Sequence, residues 1–124
     1  MKQVLLADDS EIMLDRLQQM LLPLAHVEVV GTCKNGLEAL NSLRFLKPDL
    51  AILDVKMPGL SGFEVLKEIR KENHTIKIII LTFYSAEYQR TRAMKLGADY
   101  FFSKVDDFEK IPDVILQLTS NENE

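Results

Sequence analysis

The chain has 124 residues, a formal net charge of −4 and 47% hydrophobic residues, enough apolar material for the core of one ordinary domain. That acidic balance, with no basic stripe, argues against direct contact with DNA or RNA. No apolar run approaches the ~20 residues of a membrane helix, the opening apolar run is too short for a signal peptide, and the single cysteine, Cys33, has no disulfide partner within the chain; the sequence reads as cytoplasmic with no membrane partner.

The first predicted element is a strand, Val4-Leu5-Leu6-Ala7, ending at Asp8-Asp9. Uninterrupted apolar runs mark strands covered on both faces, as in a parallel sheet. A helix follows, capped by Asp9 or Ser10 and running to about Leu22 before Pro23, with Leu14, Leu17 and Leu21 on its core face. Residues 27–33 contain Glu28, Gly31 and Thr32 and read as a less buried edge strand. Asn35 with Glu38 resembles a capping box that opens the second helix. Leu50-Ala51-Ile52-Leu53 is the third strand and ends at Asp54, after which Ser61 with Glu64 opens the third helix. Ile78-Ile79-Ile80-Leu81 is the fourth strand and ends at Thr82. Ser85 is the expected cap of the fourth helix and Gly97 its stop. Tyr100-Phe101-Phe102-Ser103 is a short second edge strand, followed closely by Lys104. The fifth helix starts between Asp106 and Pro112, with an irregular turn at residues 107–110 before it. One domain over residues 1–119 is expected, with residues 120–124 as a polar tail.

Strands alternating with helices build a parallel sheet with helices on both faces. Right-handed crossovers, with one less buried and one short strand as the edges, favour the order 2-1-3-4-5, the flavodoxin-like doubly wound α/β fold. In such sheets ligands bind beyond the carboxyl ends of the strands, at the switch point between strands 1 and 3. Asp8 and Asp9, Asp54, Thr82 and Lys104 follow the ends of strands 1, 3, 4 and 5. Singly, each has an ordinary explanation: Asp8 and Asp9 as helix caps, Asp54 as a turn residue before Pro58-Gly59, Thr82 for β propensity, Lys104 for solubility. Ordinary explanations do not predict that all of them gather on one rim. Three close carboxylates need a cation, and all-oxygen ligands suit Mg²⁺, Mn²⁺ or Ca²⁺. A carboxylate beside such an ion can attack phosphorus, with Lys104 and Thr82 placed to stabilise the transferring group.

The motifs Asp8-Asp9, Asp54-Val55-Lys56-Met57-Pro58-Gly59-Leu60-Ser61-Gly62, Thr82 and Gly97-Ala98-Asp99-Tyr100-Phe101-Phe102-Ser103-Lys104 together resemble those of response-regulator receiver domains, from Lys2 to about Thr119. The resemblance implies that Asp54 is the phosphoacceptor and that Asp9 and Asp54 hold Mg²⁺ (or Mn²⁺) directly. It implies the backbone carbonyl of Lys56 as a third ligand, with Asp8 acting through water or from behind. Thr82 would be the switch hydroxyl and Phe101 the switch aromatic that swings inward, with Tyr100 as the second candidate. The implied partners are a sensor histidine kinase or phosphotransfer protein, a downstream protein or fused output domain, and a second copy on activation.

Three positions depart from the family's pattern. Phe83 stands where a small residue is usual, narrowing access to the acyl phosphate. Val105 replaces a frequent proline, so no cis peptide is expected there. Lys56 places a cation two residues past Asp54, where it can tune hydrolysis; a simply solvated side chain is the alternative. Ile12 and Met13 beside the acidic rim are candidate partner-docking residues, with core packing as the alternative. Arg90, Arg92 and Lys95 against Asp107, Glu109 and Asp113 suggest a charge-paired dimer face; a solvated surface is the alternative. His26 and His74 read as surface residues and Cys33 as a small strand residue. A separate enzyme is not expected. Aspartyl-phosphate phosphohydrolases place an acid two residues after the nucleophile, where this chain has Lys56. A flavin module is disfavoured by Asp8-Asp9, which would repel a phosphate. The remaining alternative is a phosphate-independent interaction domain on the same fold.

Overall fold

The apolar runs form the middle of the sheet. In the computed structural model, which describes residues 1–120 with side chains through Leu118, five parallel strands pair in the order β2-β1-β3-β4-β5. They are β1 (Lys2–Ala7), β2 (Val27–Cys33), β3 (Leu50–Asp54), β4 (Lys77–Thr82) and β5 (Tyr100–Ser103). All of β3 is buried, as expected of a strand with helices on both sides. Edge strand β2 exposes Glu28 and Thr32. Its register against β1 slips between Val4 and Leu5, which leaves Val30 as an extra, bulged residue.

The helices are α1 (Glu11–Leu21), α2 (Gly36–Leu46), α3 (Gly62–Arg70), α4 (Glu87–Lys95) and α5 (Ile111–Ser120), with a 3₁₀ turn at Phe108–Lys110 just before α5. Alternate strand residues face two separate cores. Leu5, Ala51, Leu53, Ile78, Ile80 and Phe101 pack against α2, α3 and Ala93 of α4. Val4, Leu6, Ile52, Ile79 and Leu81 pack against α1 and α5. This is the flavodoxin-like doubly wound architecture.

Local signals account for most helix starts. The Ser10 hydroxyl accepts from Met13 N–H at 3.2 Å and Asn35 Oδ1 accepts from Glu38 N–H at 2.8 Å. Ser61 and Glu64 form a full reciprocal capping box. Gly97, at φ +104°, follows the last turn of α4. Two expectations are corrected. The N-cap of α4 is Ala86, which offers no side-chain acceptor; Ser85 sits one residue too early and is exposed. Met13 is not a docking residue, because it is buried in the α1–α5 core with Leu17 and Leu21; its neighbour Ile12 is 76% exposed. Of the expected polar tail, Ser120 closes α5 and residues 121–124 lie outside the described residues.

Candidate functional site

Parallel pairing brings the strand ends into one row. Ala7 lies opposite Leu53, Asp54 opposite Leu81, and Thr82 opposite Ser103. The residues that end or follow these strands line one cavity of about 230 Å³: Asp8, Asp9, Ser10, Asp54, Lys56, Thr82, Phe83, Tyr84 and Lys104. Gly62 makes the floor possible. Its N–H donates to the Val55 carbonyl at 2.9 Å, and a side chain there would overlap the Asp54 carbonyl oxygen. The start of α3 therefore presses directly on the backbone of Asp54.

Asp8, Asp54, Thr82 and Lys104 are buried, whereas Asp9 is exposed. One ligand oxygen from each of Asp8, Asp9 and Asp54 falls within 4.8 Å of the others. The Lys104 ammonium lies 2.6 Å from Asp8 Oδ2 and 3.4 Å from Asp54 Oδ1. Asp8 is further tied by Ser10 N–H, which donates to its Oδ1 at 2.9 Å. Burial pushes the Asp54 carboxyl up to about 6, and neighbouring Asp8 adds to this, while Lys104 opposes both. A buried carboxylate of this kind is a poor place to leave a lone negative charge and a good place for a cation.

Thr82 Oγ1 accepts from Tyr84 N–H at 3.1 Å, and Lys104 N–H donates to the Thr82 carbonyl at 2.8 Å. The two rings that follow Thr82 each cover an ammonium: Phe83 lies over Lys104 at 4.8 Å and Tyr84 over Lys56 at 4.3 Å. Tyr84 went unnoticed in the sequence, although its place beside Phe83 was the available signal. Phe101 is 1% exposed, already inward beneath Arg90, whose Cζ lies 5.2 Å from its ring. Tyr100 is on the other face of the sheet, 5.4 Å from Phe102. Asp107 pairs with Lys110 and accepts from Ser103 N–H, and the Arg90 guanidinium of α4 adds to the lowering of its carboxyl that these two partners begin. No peptide bond among the described residues is cis, Val105 included.

A five-stranded doubly wound sheet with a carboxylate triad, a hydroxyl and a lysine at its carboxyl rim defines a receiver-type signalling domain. The family model for the response regulator receiver domain matches residues 4–116, and the chain belongs to that family. It is 31% identical over 118 residues to the response regulator GacA of Pseudomonas aeruginosa, covering 95% of this chain and 55% of that protein. It is 39% identical over 117 residues to a protein-glutamate methylesterase/protein-glutamine glutaminase of Methanospirillum hungatei, covering 92% of this chain and 34% of that protein. The crystal structure of a LuxR-family DNA-binding response regulator from Staphylococcus aureus superposes with a TM-score of 0.88 at 28% identity, covering 95% of this chain and 98% of the other. The chain thus spans about half or less of the curated relatives it matches.

Proposed function

We propose that this chain is a phosphorylation-activated switch in two-component signalling, accepting a phosphoryl group on Asp54 from a sensor histidine kinase or a histidine phosphotransfer protein. The observation that carries this reading is the convergence of Asp8, Asp9, Asp54, Thr82 and Lys104 on one cavity, with Asp54 and Lys104 buried against each other. In the transfer, an Asp54 carboxylate oxygen bonds to phosphorus as the phosphorus–nitrogen bond of a phosphohistidine breaks. The imidazole nitrogen keeps that electron pair.

The donor set fits a hard divalent cation, because three carboxylates converge with no sulfur or imidazole among them. Asp9, Asp54 and the Lys56 carbonyl would hold Mg²⁺ or Mn²⁺ directly. Asp8, already committed to Lys104 and Ser10, is suited to a water-mediated role. Bound Mg²⁺ supplies positive charge opposite the phosphoryl oxygens. Lys104 supplies a second cation, and the Thr82 hydroxyl turns toward the phosphoryl group. Phe83 and Tyr84 form an aromatic cover that narrows the route for donor and water, and Lys56 adds charge at its edge. The output would be a changed surface on α4, β5 and α5, read by a downstream protein, a fused output domain or a second copy. Ile12 and Val105, both exposed beside the rim, would meet the phosphodonor. The reading places the domain in the cytoplasm; among the described residues no helix is long and apolar enough to cross a membrane.

Intact mass after incubation with Mg²⁺ and acetyl phosphate tests this. One added phosphoryl group is expected on the wild type, and none on Asp54→Asn or without Mg²⁺. If both acetyl phosphate and a beryllofluoride mimic leave the protein unchanged, the phosphorylation reading is wrong and the phosphate-independent interaction domain takes its place.

A further inference from the structure

Helix α4 is attached very unequally along its length. Only Ala93 is buried among its residues, whereas α3 buries Gly62, Phe63, Val65, Leu66 and Ile69. The start of α4 has no side-chain cap, and the four residues before it, from Phe83 to Ala86, are all exposed. Its middle is held by guanidinium–ring contacts, Arg90 over Phe101 and Arg92 over Phe63 at 4.6 Å. Its far end is different. Arg70, from the last turn of α3, donates through Nε to the Gly97 carbonyl at 3.0 Å and through Nη1 to the Asn73 carbonyl at 3.2 Å. Nη2 donates to Asp99 Oδ2 at 3.3 Å, and that same oxygen accepts from Ile78 N–H in β4 at 2.8 Å. The Arg70 stem lies across Gly97 so closely that a Cβ there would sit 3.1 Å from Arg70 Cγ and Nε. One side chain thus ties α3, β4 and the α4–β5 turn into a single knot.

We infer that Arg70 is the fixed pivot of the switch: α4 swings as a lever hinged at Gly97, with its free end at Ala86 joined directly to the Thr82 loop. The free end is linked to the site directly, since Tyr84 N–H donates to Thr82 Oγ1. Turning that hydroxyl toward a phosphoryl group moves the acceptor away from Tyr84 and releases the loose end of α4. The knot at the other end keeps Gly97 and Asp99, just before β5, in place, so motion becomes rotation rather than detachment. Arg70 is a positioning residue here, 27 residues from the Gly97 it grips and outside the carboxylate cavity. The swing rests on the phosphorylation reading, whereas the unequal attachment does not.

Amide hydrogen exchange, resolved by residue on the full chain, tests both parts. In the resting protein the amides at residues 90–93 should exchange at least about tenfold faster than those at 97–99. Arg70→Gln should erase that gradient by speeding exchange at 97–99, while Arg70→Lys restores part of it. If Arg70→Gln does not fold, Asp99→Asn, which keeps the acceptor and loses the charge, should show the same loss to a lesser degree. With Mg²⁺ and beryllofluoride, wild-type changes should concentrate at residues 83–93 and spare 97–99, whereas in the knot variant they should spread through 97–99. Uniform protection along α4 in the resting protein, or unchanged protection at 97–99 in the variants, overturns the pivot. A correct resting gradient with no beryllofluoride response overturns the phosphorylation reading and with it the swing, leaving only the knot.

Discussion

At the scale of single residues, Asp54 links the site to stability. Its carboxyl is raised from 3.8 to about 6, chiefly by burial. Well below pH ~4 the group is protonated whether the chain is folded or not, and its contribution is neutral. As pH rises toward 6 the unfolded chain loses this proton first, so the folded state binds more protons and stability falls. A shift of about two units corresponds to roughly 3 kcal/mol lost by pH 7. In a metal chelator, urea unfolding of the wild type should therefore show a higher midpoint at pH 5 than at pH 7 relative to Asp54→Asn, whose position 54 does not titrate. A wild type that tracks the variant across this window would contradict the burial argument. Gly62 makes a second residue-scale prediction. Gly62→Ala drives a methyl group into the Asp54 backbone, at an expected cost of about 1–3 kcal/mol from overpacking, measured by the same unfolding experiment. How far single residues could be foreseen depended on whether their partners were local. Asp54, Thr82 and Lys104 were legible because each stands at the end of a recognisable strand. That Lys104 sits nearer Asp8 than Asp54 was not, because strand order brings the three to one rim without fixing which carboxylate the ammonium takes. For Met13 the core-packing alternative holds, and its i, i+4, i+8 relation to Leu17 and Leu21 is the signal that favours it.

Among the elements, α4 differs from α1, α2 and α3 in how it starts. Ser10, Asn35 and Ser61 each place an oxygen where the first turn needs it, while Ala86 places none. Ala86→Ser should add about 1 kcal/mol to the helix start. The gain should appear as roughly fivefold slower amide exchange within α4, with little change in the global unfolding midpoint; unchanged exchange would mean that the start is held by something other than a cap. Strands were easier to foresee than this helix. Residues 50–53 and 78–81 carry uninterrupted apolar runs that only burial on both faces explains. The first turn of α4 carries no comparable signal, and a serine one position too early invited the wrong register. Strand alternation also separates Phe101 from Tyr100: they face opposite cores, so only one of them shares a face with α4.

For the whole molecule, the acidic rim is a site of stored repulsion that Lys104 offsets from within. A divalent cation that binds the folded state alone should raise stability by mass action, by about 2.7 kcal/mol at a hundredfold excess over its dissociation constant. Thermal unfolding with saturating Mg²⁺ should thus shift upward relative to chelator, and Asp9→Asn should lose most of that shift. An equal shift in the variant would place the ion elsewhere. The layered fold itself was legible almost entirely from strand runs and turn residues, since right-handed crossovers leave few arrangements. The Arg70 knot was not, because its partners at positions 97 and 99 meet it only once α3 and β5 are docked.

The bulge at Val30 has a consequence for how copies of this chain can meet. An open sheet offers two rows of unpaired backbone groups, and an exposed flat edge templates further strands. Here one border is kinked by an extra residue and carries Glu28 and Thr32 outward, and the other is only four residues long. Neither border makes a good template for strand addition, which is a safeguard against fibrous aggregation at high concentration. Deleting Val30 would straighten the β2 border and remove that protection, while any orderly pairing of two copies is left to the helical faces.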